Sequence, residues 1–468
     1  MSIQGFYLTP HPPIVIPEVG KGEEEKIIAT SRSLMKVAKD ISEKAPKTII
    51  IVTPHGTMFQ DAIALAYEDS LYGSLKNFRV PQVSLEINVN KALTNKIYEL
   101  AMEEKIPVVM ATNSLLGQYE ASLSLDHGVL VPLYFITKAY EDFKLVHITY
   151  APLSDMELYR FGMAISKAVE ELGENAVFIA SGDLSHRLKE EGPYDYSPYG
   201  EKFDKEFLHN LEQGDVVAAF NMDRETVCNA GECGRRSVAI MLGALEGKKF
   251  KGELLSYEGT FGVGYGVMKF NVISEDSSKL EELEGIKKQN QDKKLNQSNP
   301  YVKLARESLS YYLHKGEMLK QIPDYVTDEM KQIKRGVFVS LKKYGELRGC
   351  IGTIFPVTDS VADEIIRNAV EAGTEDPRFS EVDEDELLDI DFSVDVLTEP
   401  EPAVREELNP REYGVIVRSG MKTGLLLPDL EGVDSVEEQL SIALRKANIR
   451  ESADYTIEKF RVLRHKEE

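Results

Sequence analysis

The sequence predicts two domains: an α/β domain with a mainly parallel sheet covered by helices over residues 1–272, and an α+β domain over residues 300–468. Three observations predict them. Up to about residue 272, apolar runs of strand length alternate with amphipathic helical segments, the pattern of a parallel sheet wrapped by its crossover helices. From Ser274 to Asn299 the chain reads SEDSSKLEELEGIKKQNQDKKLNQSN, without an aromatic residue, and residues 273–299 are expected to be a charged linker. After Pro300 the pattern becomes helices interleaved with glycine-turned hairpins. A length of 468 residues also exceeds what one core ordinarily serves.

In the first region, Ile3–Leu8, Thr48–Thr53, Val108–Ala111, Lys144–Thr149 and Ala176–Ala180 read as strands. Glu23–Lys44, Lys91–Glu104, Asp155–Leu172 and Gly234–Leu245 read as helices. In the linker, Leu280, Leu283 and Ile286 line one side of a short helix, but the rest is too polar to bury a core. Pro300 suits the first turn of a helix over Tyr301–Leu313. A hairpin follows (Gly336–Lys342 and Glu346–Ile354, turning near Tyr344-Gly345), then a helix (Ser360–Ala372) and a strand (Leu388–Leu397). A second hairpin (Gly414–Leu427), a helix (Val436–Ala447) and a last strand complete the chain.

Composition sets limits on function. Hydrophobic residues make up 42% and charged residues 28%, and no run approaches the ~18 apolar residues of a membrane helix. The N-terminal MSIQGFYLTPHPP lacks a basic start and a long apolar core, so no secretion signal is expected. Three cysteines, Cys228, Cys233 and Cys350, form no disulfide framework and fit a reducing, cytoplasmic compartment. A formal charge of −23 argues against a groove that tracks nucleic-acid phosphates.

The histidines carry the strongest functional signal. His11 follows GFYLTP, His55 follows IIIVTP and His186 follows VFIASGDLS, so each leaves the carboxyl end of an expected strand. Open α/β sheets bind ligands outside those strand ends. Any one such histidine is as well explained by a backbone hydrogen bond; the repetition is what points to a site. Glu232, in the glycine-bracketed loop CNAGECGRRS, is the candidate carboxylate, although it also suits the start of a helix. Two imidazoles and a carboxylate on one face of an ion suit non-haem Fe(II). Neighbouring residues of an extended loop point opposite ways, so Glu232 and Cys233 are not expected to share one metal.

The ordered segments TPHPPIVIPE, IVTPHG, SGDLSH and CNAGECG resemble the LigB-type class III extradiol dioxygenases and the related Memo family across residues 1–272. The resemblance implies His11, His55 and Glu232 as ligands of Fe(II), His186 as the acid–base histidine, and His127 in LDHG as a further active-site histidine. It implies a small-molecule, catechol-like substrate that chelates the metal, with His186 taking a proton from it and returning one later. Asp183 either orients the His186 ring or caps a following helix. Memo-type relatives carry a cysteine at the metal site, and Cys233 here would direct it toward zinc or copper. That leaves a metal-dependent oxidoreductase or hydrolase without ring cleavage as the alternative.

GTFGVGYG (259–266) lacks the Lys-Ser/Thr ending of a phosphate-binding loop and reads as strand, and His147 reads as a core histidine. In the second region, LRGCIG (347–352), supported by DPRF and GLLLP, resembles the AMMECR1 family over residues 300–468. Arg348 and Cys350 are its candidate functional residues, with a small packed thiol as the plainer reading of Cys350. Proteins resembling the two halves accompany a radical-SAM protein, which implies such a partner; a non-enzymatic scaffold is the remaining alternative.

Overall fold

A computed structural model describes residues 2–119, 121–343, 345–430 and 432–467. The chain divides into two compact units, Met1–Glu284 and Gly285–Glu468.

The first unit is built on an eight-stranded sheet. Its strands are β1 (Ile3–Thr9), β2 (Thr48–Thr53), β3 (Ile63–Ala66), β6 (Val108–Ala111), β7 (Lys144–Thr149), β8 (Ala176–Ser181), β9 (Lys248–Glu258) and β10 (Tyr265–Glu275); β4 (Ser70–Leu75) and β5 (Val80–Asn88) pair separately. The order is β6-β3-β7-β2-β8-β1-β10-β9. At its centre, β7, β2, β8 and β1 are all parallel, while β10 and β9 add an antiparallel edge. β2 and β8 are buried at every residue, as a sheet covered on both faces requires. Helices Lys91–Glu103, Asp155–Leu172 and Arg235–Ala244 share one core with alternate strand residues such as Ile50, Val52 and Phe178. Helices Ile28–Lys44 and His127–Thr137 cover the other face, over Ile49, Ile51 and Val177. Because the four central strands run the same way, their carboxyl ends make one rim.

The expected linker departs from the sequence reading. β10 runs on to Glu275, and Lys279–Gln297 is one helix. Leu283 is buried in the first unit's core with Leu280 packed beside it, an apolar i, i+3 pair that suffices to dock the first turn of an otherwise polar helix. The helix Pro300–Lys315 starts as expected, with Asn299 capping two backbone N–H groups.

The second unit has two four-stranded antiparallel sheets. One contains β11 (Val337–Lys343), β12 (Glu346–Gly352), β13 (Ile390–Leu397) and β18 (Val462–Lys466), in the order β12-β11-β13-β18. The other contains β14 (Glu401–Ala403), β15 (Gly414–Ser419), β16 (Lys422–Leu426) and β17 (Thr456–Phe460). Of the first hairpin's expected turn, Tyr344 lies outside the described residues. LRGCIG lies on β12, an edge strand whose small residues allow close contact: a Cβ on Gly349 would sit 2.0 Å from the carbonyl oxygen of Ala372.

Candidate metal centre

Four segments meet at the carboxyl rim of the first sheet. β1 delivers His11, β2 delivers His55, β8 leads through Gly182 to Asp183 and His186, and the turn before helix Arg235–Ala244 supplies Glu232 and Cys233. The turn reaches β8 because both chains have glycine where they touch. A Cβ on Gly182 would lie 2.1 Å from the Gly234 Cα. Cys233 N–H donates to the Asp183 carbonyl and Asp183 N–H points at Cys233 Sγ, 3.3 Å in each case. These bonds lock the sulfur against the strand end.

The result is a cluster of His11, His55 and Cys233, whose ligand atoms all lie within 4.8 Å of one another. His11 Nε2 is 3.0 Å from His55 Nε2 and 3.8 Å from Cys233 Sγ. Two nitrogens, or a nitrogen and a sulfur, on a tetrahedral ion with bonds of about 2.0–2.3 Å lie roughly 3.3–3.6 Å apart, so this donor set fits one transition-metal ion with little movement. Burial, and then the charge on His55, push the His11 pKa down to about 3; burial lowers His55 as well. Both imidazoles are therefore neutral at pH 7, the form that binds metals. Burial, followed by Asp183 and Glu232, pushes the Cys233 thiol upward, so the sulfur keeps its proton until a cation takes its place.

Glu232 is not the third donor of this cluster. Its Oε2 accepts from Arg235 N–H at 2.6 Å, holding the first turn of the helix. Of these two neighbours, it is the Cys233 sulfur that lies within ligand distance of the histidines. The local sequence alone does not decide which of the two lies beside the histidines; the Gly182–Gly234 contact brings this turn to the strand end.

Of the two roles expected of Asp183, helix capping is the one the structure does not show. No helix follows it directly; its Oδ1 accepts the backbone N–H of His11 at 2.9 Å, and burial raises its pKa to about 6. Its charge still favours the protonated form of His186, whose pKa burial lowers overall. The His186 ring stacks on Tyr194 at 5.1 Å, and its backbone N–H donates to Gly231. His127, the first residue of its helix, stacks on His55 with ring centres 4.1 Å apart. Phe78 packs against the outer side of His127 at 5.4 Å.

His147, read from sequence as a core histidine, belongs to the support of this site. Asp126 receives Thr53 Oγ1–H at 2.7 Å on one oxygen and His147 Nε2 at 3.1 Å on the other. Burial opposes its ionisation, but these bonds hold the carboxyl down at about 2. Thr53 Oγ1 in turn accepts from His55 N–H, so one buried carboxylate links the β2 end, β7 and the start of the His127 helix. A histidine on a central strand with an acid immediately before the helix that His127 begins was the available signal. Nothing in the periodicity paired them.

In the second unit, Cys350 N–H donates to Asp376 Oδ2 at 2.8 Å, Arg378 forks onto the same carboxylate, and Ser340 Oγ lies 3.2 Å from Cys350 Sγ. Arg348 is spent on Glu386 and on the carbonyls of Ser380 and Glu381. Both residues thus make hydrogen bonds within the domain.

Fold and rim together define an α/β protein with a candidate transition-metal centre at its strand ends. The family comparison agrees: residues 5–268 match the model described as the catalytic LigB subunit of aromatic ring-opening dioxygenase, and residues 302–468 match AMMECR1. The chain belongs to the LigB family and carries an AMMECR1 domain fused behind it. A Clostridium acetobutylicum protein is 69% identical over 467 residues, covering 100% of both chains. A Thermotoga maritima protein is 50% identical over 173 residues, 36% of this chain and 98% of its own. Among solved structures, an uncharacterised Pyrococcus horikoshii protein is 30% identical over 36% of this chain and 89% of its own, with a TM-score of 0.33. An uncharacterised Escherichia coli protein is 16% identical over 57% of this chain and 98% of its own, with a TM-score of 0.38. No helix among the described residues is long and apolar enough to cross a membrane.

Proposed function

We propose that the first unit is a metal-dependent oxidoreductase acting on a hydroxylated, catechol-like aromatic substrate, with its ion held by His11, His55 and Cys233. The observation that carries this reading is the convergence of those three ligand atoms. A thiolate donor shifts preference from an iron triad toward copper or zinc, and copper is the redox-active choice of the two. When bound, the ion supplies a Lewis acid that acidifies the substrate hydroxyls and a centre for electron transfer. The protein's part is proton handling. His186, kept neutral by burial, accepts the hydroxyl proton; Asp183 beside it steadies the cation so formed. Tyr194 stacks on His186 and Phe78 meets His127 edge-on, two exposed aromatic side chains beside these histidines that an aromatic substrate could pack against.

A second reading follows the family description: ring opening at Fe(II), with Glu232 swinging from its helix cap to the ion. Metal content of the whole chain and oxygen uptake with simple catechols separate the two. Copper in the purified chain, and uptake abolished by Cys233→Ala and His186→Ala but kept by Glu232→Gln, is the result expected. Iron content with ring-opened product, lost in Glu232→Gln and kept in Cys233→Ala, overturns the first reading in favour of the second. An association with a radical-SAM protein stays a proposal supported by the resemblance, to be tested by co-purification with the full chain.

A further inference from the structure

We infer that Ser181 is a positioning residue that fixes which ring nitrogen of His11 is free to take a metal. The inference rests on the reading of His11 as a ligand. Ser181 ends β8 and is fully buried. Its Oγ lies 2.5 Å from the carbonyl oxygen of Gly128 and 2.9 Å from His11 Nδ1. A carbonyl oxygen only accepts, so the single hydroxyl proton of Ser181 points to Gly128. What remains toward His11 is a lone pair, and Nδ1 must be the nitrogen that carries N–H. In the neutral ring Nε2 is then bare. Nε2 is the atom that faces His55 Nε2 and Cys233 Sγ. In the metal-free protein His55 Nε2–H is left as the donor between the two rings.

The acceptor is itself held in place. Gly128 is the second residue of the His127 helix, and a Cβ there would lie 2.3 Å from Thr53 Oγ1 and 2.8 Å from Asp126 Oδ1. Only a residue without a side chain leaves room for the Thr53–Asp126 bond next to it. Ser181 therefore ties the His11 tautomer to the same helix start that positions His127. Without its hydroxyl, Nδ1–H loses its acceptor in a buried site and the ring gains access to the tautomer whose Nε2–H points at the ion.

The test has two parts on the full chain. Nitrogen-15 NMR of the metal-free protein, with His11→Gln for assignment, reports the tautomer directly; Nδ1–H is expected. Co(II) and Zn(II) affinities are then measured for the wild type, Ser181→Ala and Ser237→Ala, the last removing a buried hydroxyl with no hydrogen-bond partner. Ser181→Ala is expected to bind about 10–100-fold more weakly, as loss of an orienting partner does, and Ser237→Ala as the wild type. An Nε2–H tautomer in a wild-type chain that binds metal overturns the inference, as does undiminished affinity in Ser181→Ala. A wild-type chain that has Nδ1–H but binds neither ion overturns the metal reading instead and leaves the tautomer assignment intact.

Discussion

Replacing Cys233 by alanine, beside Glu232 by glutamine, separates the two acidic neighbours of the metal turn. Cys233 Sγ is one of three converging donors, and alanine removes it without adding volume. Structural zinc sites with four ligands bind with about 10–16 kcal/mol, so one ligand accounts for roughly 3–4 kcal/mol, a loss of about 10²–10³-fold in affinity. Glutamine at 232 keeps an oxygen where Oε2 now accepts Arg235 N–H at 2.6 Å. It surrenders the charge favoured at a helix start, about 0.3–1 kcal/mol of stability, and should leave metal affinity within a few-fold. Competition titration of Co(II) against a chelator measures both, and the Co–thiolate charge-transfer band should vanish in Cys233→Ala alone. If Glu232→Gln loses the affinity and Cys233→Ala keeps both affinity and spectrum, the geometric reading of this turn is wrong.

Three further outcomes are expected. Gly182→Ala should destabilise the first unit by about 1–3 kcal/mol and weaken metal binding, because the new methyl would overlap Gly234 Cα at 2.1 Å; thermal melts with and without metal check it. Copper or zinc at a hundred times its dissociation constant should stabilise the first unit by about 2.7 kcal/mol, read from chemical denaturation, and a chelator should reverse the gain. In the second unit, although burial opposes it, Arg348 and Lys343 hold the Glu386 carboxyl down at about 2. A depressed carboxyl stabilises above its unfolded pKa near 4.5 and loses that contribution as pH falls toward 2, so Glu386→Gln should cost roughly 2–3 kcal/mol at pH 7 and little at pH 2. Equal destabilisation at both pH values would show that the ion pairs contribute nothing.

The sequence by itself determined the two-domain plan, the strand-and-helix alternation of the first domain and the rim at which the candidate residues gather. Those features are local: Thr48–Thr53 has the unbroken apolar centre IIIV because both faces of a central strand are covered, and Asp155–Leu172 begins at a Ser154 capping box that one turn of chain specifies. Leu280 and Leu283 could have warned that the charged segment docks, but two apolar residues weigh little against the polar remainder. What only the tertiary structure decided was which side chains meet. Cys233 came to lie beside the two histidines where Gly182 and Gly234, 52 residues apart in sequence, press backbone against backbone. Asp126 joined Thr53 to His147, and Ser181 joined His11 to Gly128, across strands that share no sequence pattern. Periodicity reports which face of an element is buried, whereas a hydrogen-bond partner or a metal ligand is fixed by atoms brought together from distant parts of the chain.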